Sequence, residues 1–223
     1  MSMAHIISIS GDGLALILTG LPIVIFLMIA SFFPALGIGI IGGVLATSPW
    51  RLVRLIVIIY VYIFRSTPFL MFIFLVYYGL PAFGIDIGPI TTAVIALSLS
   101  HGAYMTEIIK GGLRGLDKGQ NEAAIALGLN LFQRLKDITL PQTLMAIIPS
   151  LLGQSILIIK DTSLVSVVGI SEITKLAREV VIRTNEPFII FGVLALIYFA
   201  VCFVLERVAG KLEQRARLIL AGR

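Results

Sequence analysis

Charged residues are scarce in this sequence: 13% of its 223 residues are Asp, Glu, Lys or Arg, against 58% hydrophobic, and the mean hydropathy is +1.06. A soluble domain covers its surface with roughly 25% charged residues, so an ordinary cytosolic or secreted globule is excluded and lipid must be the solvent for most of the chain. The one cysteine, Cys202, lies inside an apolar run, which excludes a disulfide framework and leaves a small packed or lipid-facing thiol. Histidine is limited to His5 and His101, and there is no H-E-x-x-H, no cysteine cluster and no G-x-S-x-G. A metal centre or a nucleophilic triad therefore lacks the residues it needs, and no catalytic or metal-ligating residue is assigned. The phosphate-cradling G-x-x-x-x-G-K-S/T is missing as well, so the chain has no P-loop for ATP. A formal charge of +5 would suggest nucleic acid in a soluble protein, but in a membrane protein the placement of Lys and Arg matters more than their sum.

What the sequence does have is apolar length. A span takes about 20 residues, so the chain holds five or six with short connections and no large catalytic domain beside them. We expect an all-α polytopic membrane protein with a single transmembrane domain over residues 1–223. Its spans fall near 14–46, 55–80, 90–109, 143–168 and 188–205. The first stretch would be about 50 Å long if wholly helical, so it must tilt, kink or break near Pro22 or Pro34, as one long helix or two. It is far longer than a signal-peptide core and has no basic leader, and is expected to belong to the mature protein. Arg65-Ser66-Thr67-Pro68 interrupts the second, His101 and Glu107 sit late in the third, and Lys160-Asp161 lies within the fourth. Gly39 and Gly43 form a small-xxx-small pair suited to close helix approach.

Basic residues set the orientation. With five spans, Arg51 and Arg54, then Lys110, Arg114, Lys118, Arg134 and Lys136, then Arg207, Lys211, Arg215, Arg217 and Arg223 fall on one side. The other side keeps the first dozen residues and Pro81 to Pro89, without Lys or Arg. It also keeps Gly169 to Pro187, where Lys175, Arg178 and Arg183 are matched by Glu172, Glu179 and Glu186. The N-terminus is expected outside and the C-terminus inside. If the first stretch is two spans, only the N-terminus moves.

The longest hydrophilic segment, 110–142, then faces the cytoplasm. Asn121 to Leu127 reads as a short helix with Ala123, Ala124 and Ala126 as a small-residue face, and Gly128 suits a left-handed terminating residue. Leu131, Leu135 and Ile138 recur at i, i+4, i+7, predicting a second short helix, and Pro141 marks the entry to the next span. Two short helices at a sharp turn make a rigid knob.

Glu122-Ala123-Ala124-x-x-x-Gly128, nine intervening residues, then Ile138-x-Leu140-Pro141 resembles the EAA loop of bacterial ABC importer permeases, with its spacing intact. Arg65-Ser66-Thr67-Pro68-Phe69-Leu70, Tyr78-Gly79-Leu80-Pro81, Ala103-Tyr104-x-x-Glu107-Ile108, Lys118-Gly119-Gln120 and Lys160-Asp161-Thr162-Ser163-Leu164 are similar to the polar amino acid uptake subfamily, of the histidine, glutamine, arginine and glutamate type. Ser66 departs from the R-G-T-P usual there, and His101 stands where Asn, Ser or Gly is more common. The resemblance implies the type I importer permease fold in the bacterial inner membrane. The partners it implies are a second, identical or related permease, two cytoplasmic ATPase subunits that bind ATP and Mg²⁺, and an external solute-binding protein. This chain would hold no cofactor and bind no nucleic acid. Glu122, Ala123, Ala124, Gly128, Ile138, Leu140 and Pro141 would form the coupling element seated in the ATPase.

Charges on a span are expensive and usually face a bundle interior. By the resemblance, Asp161, Thr162 and Ser163 line the substrate path, with His101, Tyr104 and Arg65 contributing. Plainer readings stand beside these. Asp161 could cap a helix end, Arg65 could snorkel or pair near the cytoplasmic interface, and His101 could make an interhelical hydrogen bond. Glu107 is expected at an inner gate or in a salt bridge. The function these readings predict is inward translocation of a polar amino acid, driven by a separate ATPase. The rivals are a permease for another small solute and an ion-coupled secondary transporter, though the inverted repeats that would favour the latter are missing.

Overall fold

The computed structural model describes residues 12–115 and 118–221, and these are helical with no strand among them. His5 and Arg223 lie outside the described residues, as does most of the segment preceding the first span. The helices are α1 (12–18), α2 (Leu21–Leu45), α3 (Arg51–Ser66), α4 (Phe69–Gly79), α5 (Gly88–Arg114), α6 (Lys118–Ala126), α7 (Leu131–Gln133), α8 (Leu140–Asp161), α9 (Ile173–Thr184) and α10 (Pro187–Ala221). Short 3₁₀ helices follow α4 at Leu80–Phe83 and α8 at Thr162–Val168, and a π-helical segment, Arg134–Thr139, joins α7 to α8.

The first apolar stretch is one run of 34 residues, Asp12–Leu45. Its irregularity falls at Thr19 and Gly20, whose N–H groups bond back three residues to Leu16 O and Ile17 O at 3.1 and 3.0 Å. This lies next to Pro22, while Pro34 stays inside α2. The second stretch is broken where the sequence interrupts it: α3 and α4 meet at 103°. Pro68 is extended at φ −57°, ψ 134°, and a residue before proline is driven out of the helical region. Asp12–Leu45, Met145–Val168 and Pro187–Lys211 are each long and apolar enough to cross a bilayer, and α3 with α4 makes a fourth crossing if the two arms are one span. α5 has the length, 27 residues, but Thr92, Ser98, Ser100, His101 and Thr106 lower its apolarity. All five are buried, so the polarity is turned inward.

The chain divides into two compact units. The first comprises residues up to Phe33, Thr67–Ser98 and Ser155–Leu205. Its core is Ile17, Val24, Ile159, Ile173, Ala177, Val180, Ile190 and Leu194. α9 presents Ile173, Leu176, Ala177 and Val180 to the interior, the i, i+3, i+4, i+7 stripe of an amphipathic helix.

The second unit comprises Pro34–Ser66, Leu99–Gln154 and Glu206 onward. Here α2 and α5 touch through backbone. A Cβ on Gly39 would lie 2.6 Å from Met105 Cβ, and one on Gly43 would lie 2.6 Å from Ile109 Cγ2, so the small-xxx-small pair packs these helices. α3 buries Val57 and Val61 one turn apart, and its Tyr60 hydroxyl donates to Leu99 O of α5 at 2.7 Å.

Candidate functional site

In the second unit, α3 and α5 line an open cavity of about 440 Å³. Tyr62, Arg65 and Ser66 line it from the end of α3, and Tyr104, Glu107 and Lys110 from successive turns of α5, above an apolar floor of Ile58 and Val61. The Arg65 guanidinium carbon lies 5.2 Å from the Tyr104 ring centre, a separation at which the ring face attracts the cation. Lys110 Nζ holds both Glu107 oxygens, at 2.8 and 3.1 Å. One turn before Tyr104, His101 and Gln154 are buried and hydrogen-bonded, Nδ1 to Oε1 at 3.2 Å. The cavity thus presents a cation over an aromatic ring and, one turn further along α5, a carboxylate already paired to an ammonium. Such a lining suits a small polar solute carrying its own carboxylate.

Arg65, Tyr104 and Glu107 are therefore brought together. Arg65 stands at the opposite end of α3 from Arg51, not beside the basic cluster that opens the helix. Sequence reasoning overlooked Tyr62 and Gln154. Gln154 could have been found as an amide in the apolar interior of α8, but Tyr62 carries no such signal.

Asp161, Thr162 and Ser163 belong to the first unit, at the junction of α8 with its 3₁₀ helix. Thr162 is fully buried and its hydroxyl donates to Ile159 O at 2.6 Å. Ser163 Oγ donates to Lys160 O at 2.7 Å. Both hydroxyl protons are thus engaged by backbone, and what these residues can offer a solute is their oxygen lone pairs. The Asp161 side chain makes no capping bond to the segment that follows.

The 110–142 loop folds as a knob, with two corrections of detail. α6 ends at Gly128, φ +74°. Leu129 N–H reaches Ala124 O at 3.1 Å and Gly128 N–H reaches Ile125 O at 2.9 Å, the paired bonds of a Schellman motif. Asn130 and Gln133 then cap each other's backbone at 2.9 and 3.0 Å, a capping box that an N-x-x-Q reading would have found. The expected alanine face does not exist as one surface, since Ala124 is buried while Ala123 and Ala126 are exposed. Nor is there a separate second helix carrying Leu131, Leu135 and Ile138 in one stripe, because α7 runs through the π segment into α8. Pro141 has no N–H for the carbonyl four residues earlier, and the chain widens instead: Leu140 N–H bonds Leu135 O, five residues back. That winding breaks the 3.6-residue period on which the stripe depended. Leu131 is exposed, and Leu135 and Ile138 are half-buried.

Glu122, Ile125, Leu127, Leu131 and Phe132 are exposed on this knob, Leu127 and Phe132 at 78% and 70%. Gln142 Nε2 donates to Gln120 Oε1 at 3.3 Å, tying α6 to the start of α8.

Residues 35–218 match the family described as binding-protein-dependent transport system inner membrane component. The arginine transport system permease protein of Bacillus subtilis (strain 168) is 34% identical over 205 residues, covering 90% of this chain and 92% of that protein. The L-cystine transport system permease protein of the same organism is 35% identical over 190 residues, covering 85% and 81%. The glutamine transport system permease protein of Escherichia coli (strain K12) is 29% identical over 206 residues, covering 92% and 94%. Among solved structures, an amino acid ABC transporter crystallised with histidines has a TM-score of 0.84 at 27% identity, over 96% of this chain and 99% of that one. An inward-facing methionine ABC transporter, at 18% identity and a TM-score of 0.75, shares the fold. The chain belongs to the binding-protein-dependent transport system inner membrane components, the type I importer permeases of the bacterial inner membrane.

Proposed function

We propose that this chain is the membrane-spanning subunit of an ATP-driven importer that carries a polar amino acid inward. The observation that carries the reading is the 118–142 knob: a Schellman turn and a capping box hold it rigid, and it exposes Ile125, Leu127, Leu131 and Phe132. Such a cluster of apolar side chains on a polar loop is suited to a partner's groove, and the missing P-loop means that ATP and Mg²⁺ are bound by that partner. In this account two cytoplasmic ATPases hold one knob each of a permease pair, identical or related. Their closure on ATP pulls the knobs, and an external binding protein delivers the solute. The N-terminus lies outside and the C-terminus inside.

The cargo reading rests on the α3–α5 cavity and on relatives whose names specify arginine, glutamine and cystine. Arg65 suits the carboxylate that every amino acid carries, by a charge-assisted hydrogen bond. Asp161, with Ser163 as an oxygen acceptor, is read separately, as part of the substrate path and not of this cavity. Glu107, held by Lys110, acts as an inner-gate ion pair rather than as a substrate ligand.

The test is uptake into proteoliposomes containing this permease with its cognate ATPase and binding protein, offered labelled arginine, glutamine and cystine. ATP-dependent accumulation of at least one is expected. Accumulation that needs an ion gradient and no ATP would establish a secondary transporter instead, and uptake of only a non-amino-acid solute would overturn the cargo reading.

A further inference from the structure

Between α4 and α5 lies a second cavity, of about 390 Å³, which the transport account so far does not use. All the residues lining it belong to the first unit. Tyr77 and Tyr78 reach it from the last turn of α4, Ile85 and Asp86 from the connection, and Thr92 from the start of α5. The two tyrosine rings lie 4.9 Å apart, centre to centre, with 80° between their planes, so they form two walls of a corner and not a stack. Tyr78 is 62% exposed, which leaves its ring open to a ligand.

The connection is tied down at both ends. Gly84 and Gly88 take the left-handed conformation, at φ +77° and +68°. Gly84 N–H and Ile85 N–H bond back to Pro81 O and Leu80 O at 2.9 and 3.1 Å, and Thr92 Oγ1 donates to Gly88 O at 2.8 Å. The Asp86 carboxylate is oriented through one oxygen, since Oδ1 accepts the Gly88 N–H at 3.1 Å. Asp86 makes no ion pair among the described residues, and Pro81 to Pro89 contains no Lys or Arg to neutralise it. An ionised carboxylate can only accept hydrogen bonds, so what completes this site is a donor, and a charged one gains most. The tyrosine rings beside it attract the same kind of group, because the face of a ring carries negative charge.

We propose that this cavity is a binding site for a small organic cation, holding the guanidinium or ammonium group of a solute between Tyr77, Tyr78 and Asp86. Its volume falls within the range of small-molecule pockets. It shares no residue with the Arg65 cavity and has the opposite preference, because Arg65 attracts a carboxylate and Asp86 repels one. In the importer reading, on which its placement alone rests, the connection lies on the outer side and the site takes the cationic end of an arriving amino acid. The affinity for a cation follows from the lining residues and does not depend on that reading.

The test is ligand-detected saturation-transfer NMR on the permease–ATPase assembly in nanodiscs of zwitterionic lipid, with agmatine as the probe. Agmatine keeps a guanidinium and an ammonium but has no carboxylate, so Arg65 does not attract it. Wild type should transfer saturation to agmatine, and arginine and tetramethylammonium should displace it while acetate should not. Asp86→Asn and Tyr78→Leu should each weaken binding about threefold to fivefold, the scale of an exposed ion pair and an exposed cation–ring contact, and the two together should abolish it. Tyr78→Phe, which keeps the ring, should bind as wild type does. If Asp86→Asn does not insert, the contrast between Tyr78→Leu and Tyr78→Phe decides the matter. No transfer in wild type would overturn the proposal, as would wild-type affinity in Asp86→Asn. Binding lost in Asp161→Asn and kept in Asp86→Asn would also overturn it, by placing the cation at the other carboxylate. An assembly that binds agmatine as expected yet transports no amino acid would keep the site and strike the importer reading.

Discussion

Arg65 and Tyr104 stand on different helices, α3 and α5, with the guanidinium carbon 5.2 Å from the ring centre. The pair lines the cavity that also holds Glu107 and Lys110. A cation over a ring contributes about 0.5–2 kcal/mol, more when water is excluded. Its planarity also favours Arg over Lys. Tyr104→Phe, which keeps the ring face, should transport at close to the wild-type rate. Tyr104→Leu and Arg65→Lys should each lose several-fold in initial uptake rate. Equal activity of Tyr104→Leu and Tyr104→Phe would remove the stacking from the account.

Gly128 turns the chain at φ +74°, a conformation that costs a β-branched residue about 1 kcal/mol or more. Gly128→Val should still insert, but should lose co-purification of the ATPase and with it ATP-driven uptake. Normal co-purification would show that the knob's turn does not present the coupling surface.

The Asp161 side chain makes no capping bond to the 3₁₀ segment that follows, so a loss on replacing it would not come from that cap. Asp161→Asn is expected to abolish uptake and substrate-stimulated hydrolysis, while basal hydrolysis and assembly stay near wild type. Near-normal activity in both assays would leave the segment structural.

Burial pushes the Glu172 carboxyl above the ordinary carboxylate range, with the Thr174 and Lys175 N–H groups partly opposing it. The folded state then keeps a proton that the unfolded chain has lost, between the ordinary value and the raised one. Stability must therefore fall as pH rises through that window. Melting temperature measured from mildly acidic to neutral pH should show this slope in wild type and a flatter one in Glu172→Gln. An identical slope in both would assign the dependence to other groups.

The parts of the fold legible in the sequence were those set by local chemistry. Unbroken apolar runs placed the long helices, Thr67-Pro68 placed the sharp bend, and Gly128 placed the turn of the knob. The Arg134–Thr139 π segment was not legible, because an α-helical period was read up to Ile138, just before a proline whose missing donor changes the winding upstream. Arg65, Tyr104 and Glu107 could be singled out as polar groups on apolar helices. That they share a cavity depends on the packing of α3 against α5, about which the spacing of either helix says nothing. Glu172 read as one charge in a balanced loop, since its contact with Tyr198 spans 26 residues and follows no periodicity.

The central claim is that the 118–142 knob faces the cytoplasm and meets an ATPase there. Its most direct test is the reactivity of Leu127→Cys, in a Cys202→Ser background, toward an impermeant maleimide. Leu127 is 78% exposed, so access to the reagent and not burial governs labelling. The account predicts no labelling in intact cells, labelling in inside-out vesicles stripped of ATPase, and protection when the ATPase is restored. Labelling in intact cells would place the knob on the outer face, beyond the reach of any cytoplasmic ATPase, and would contradict the account.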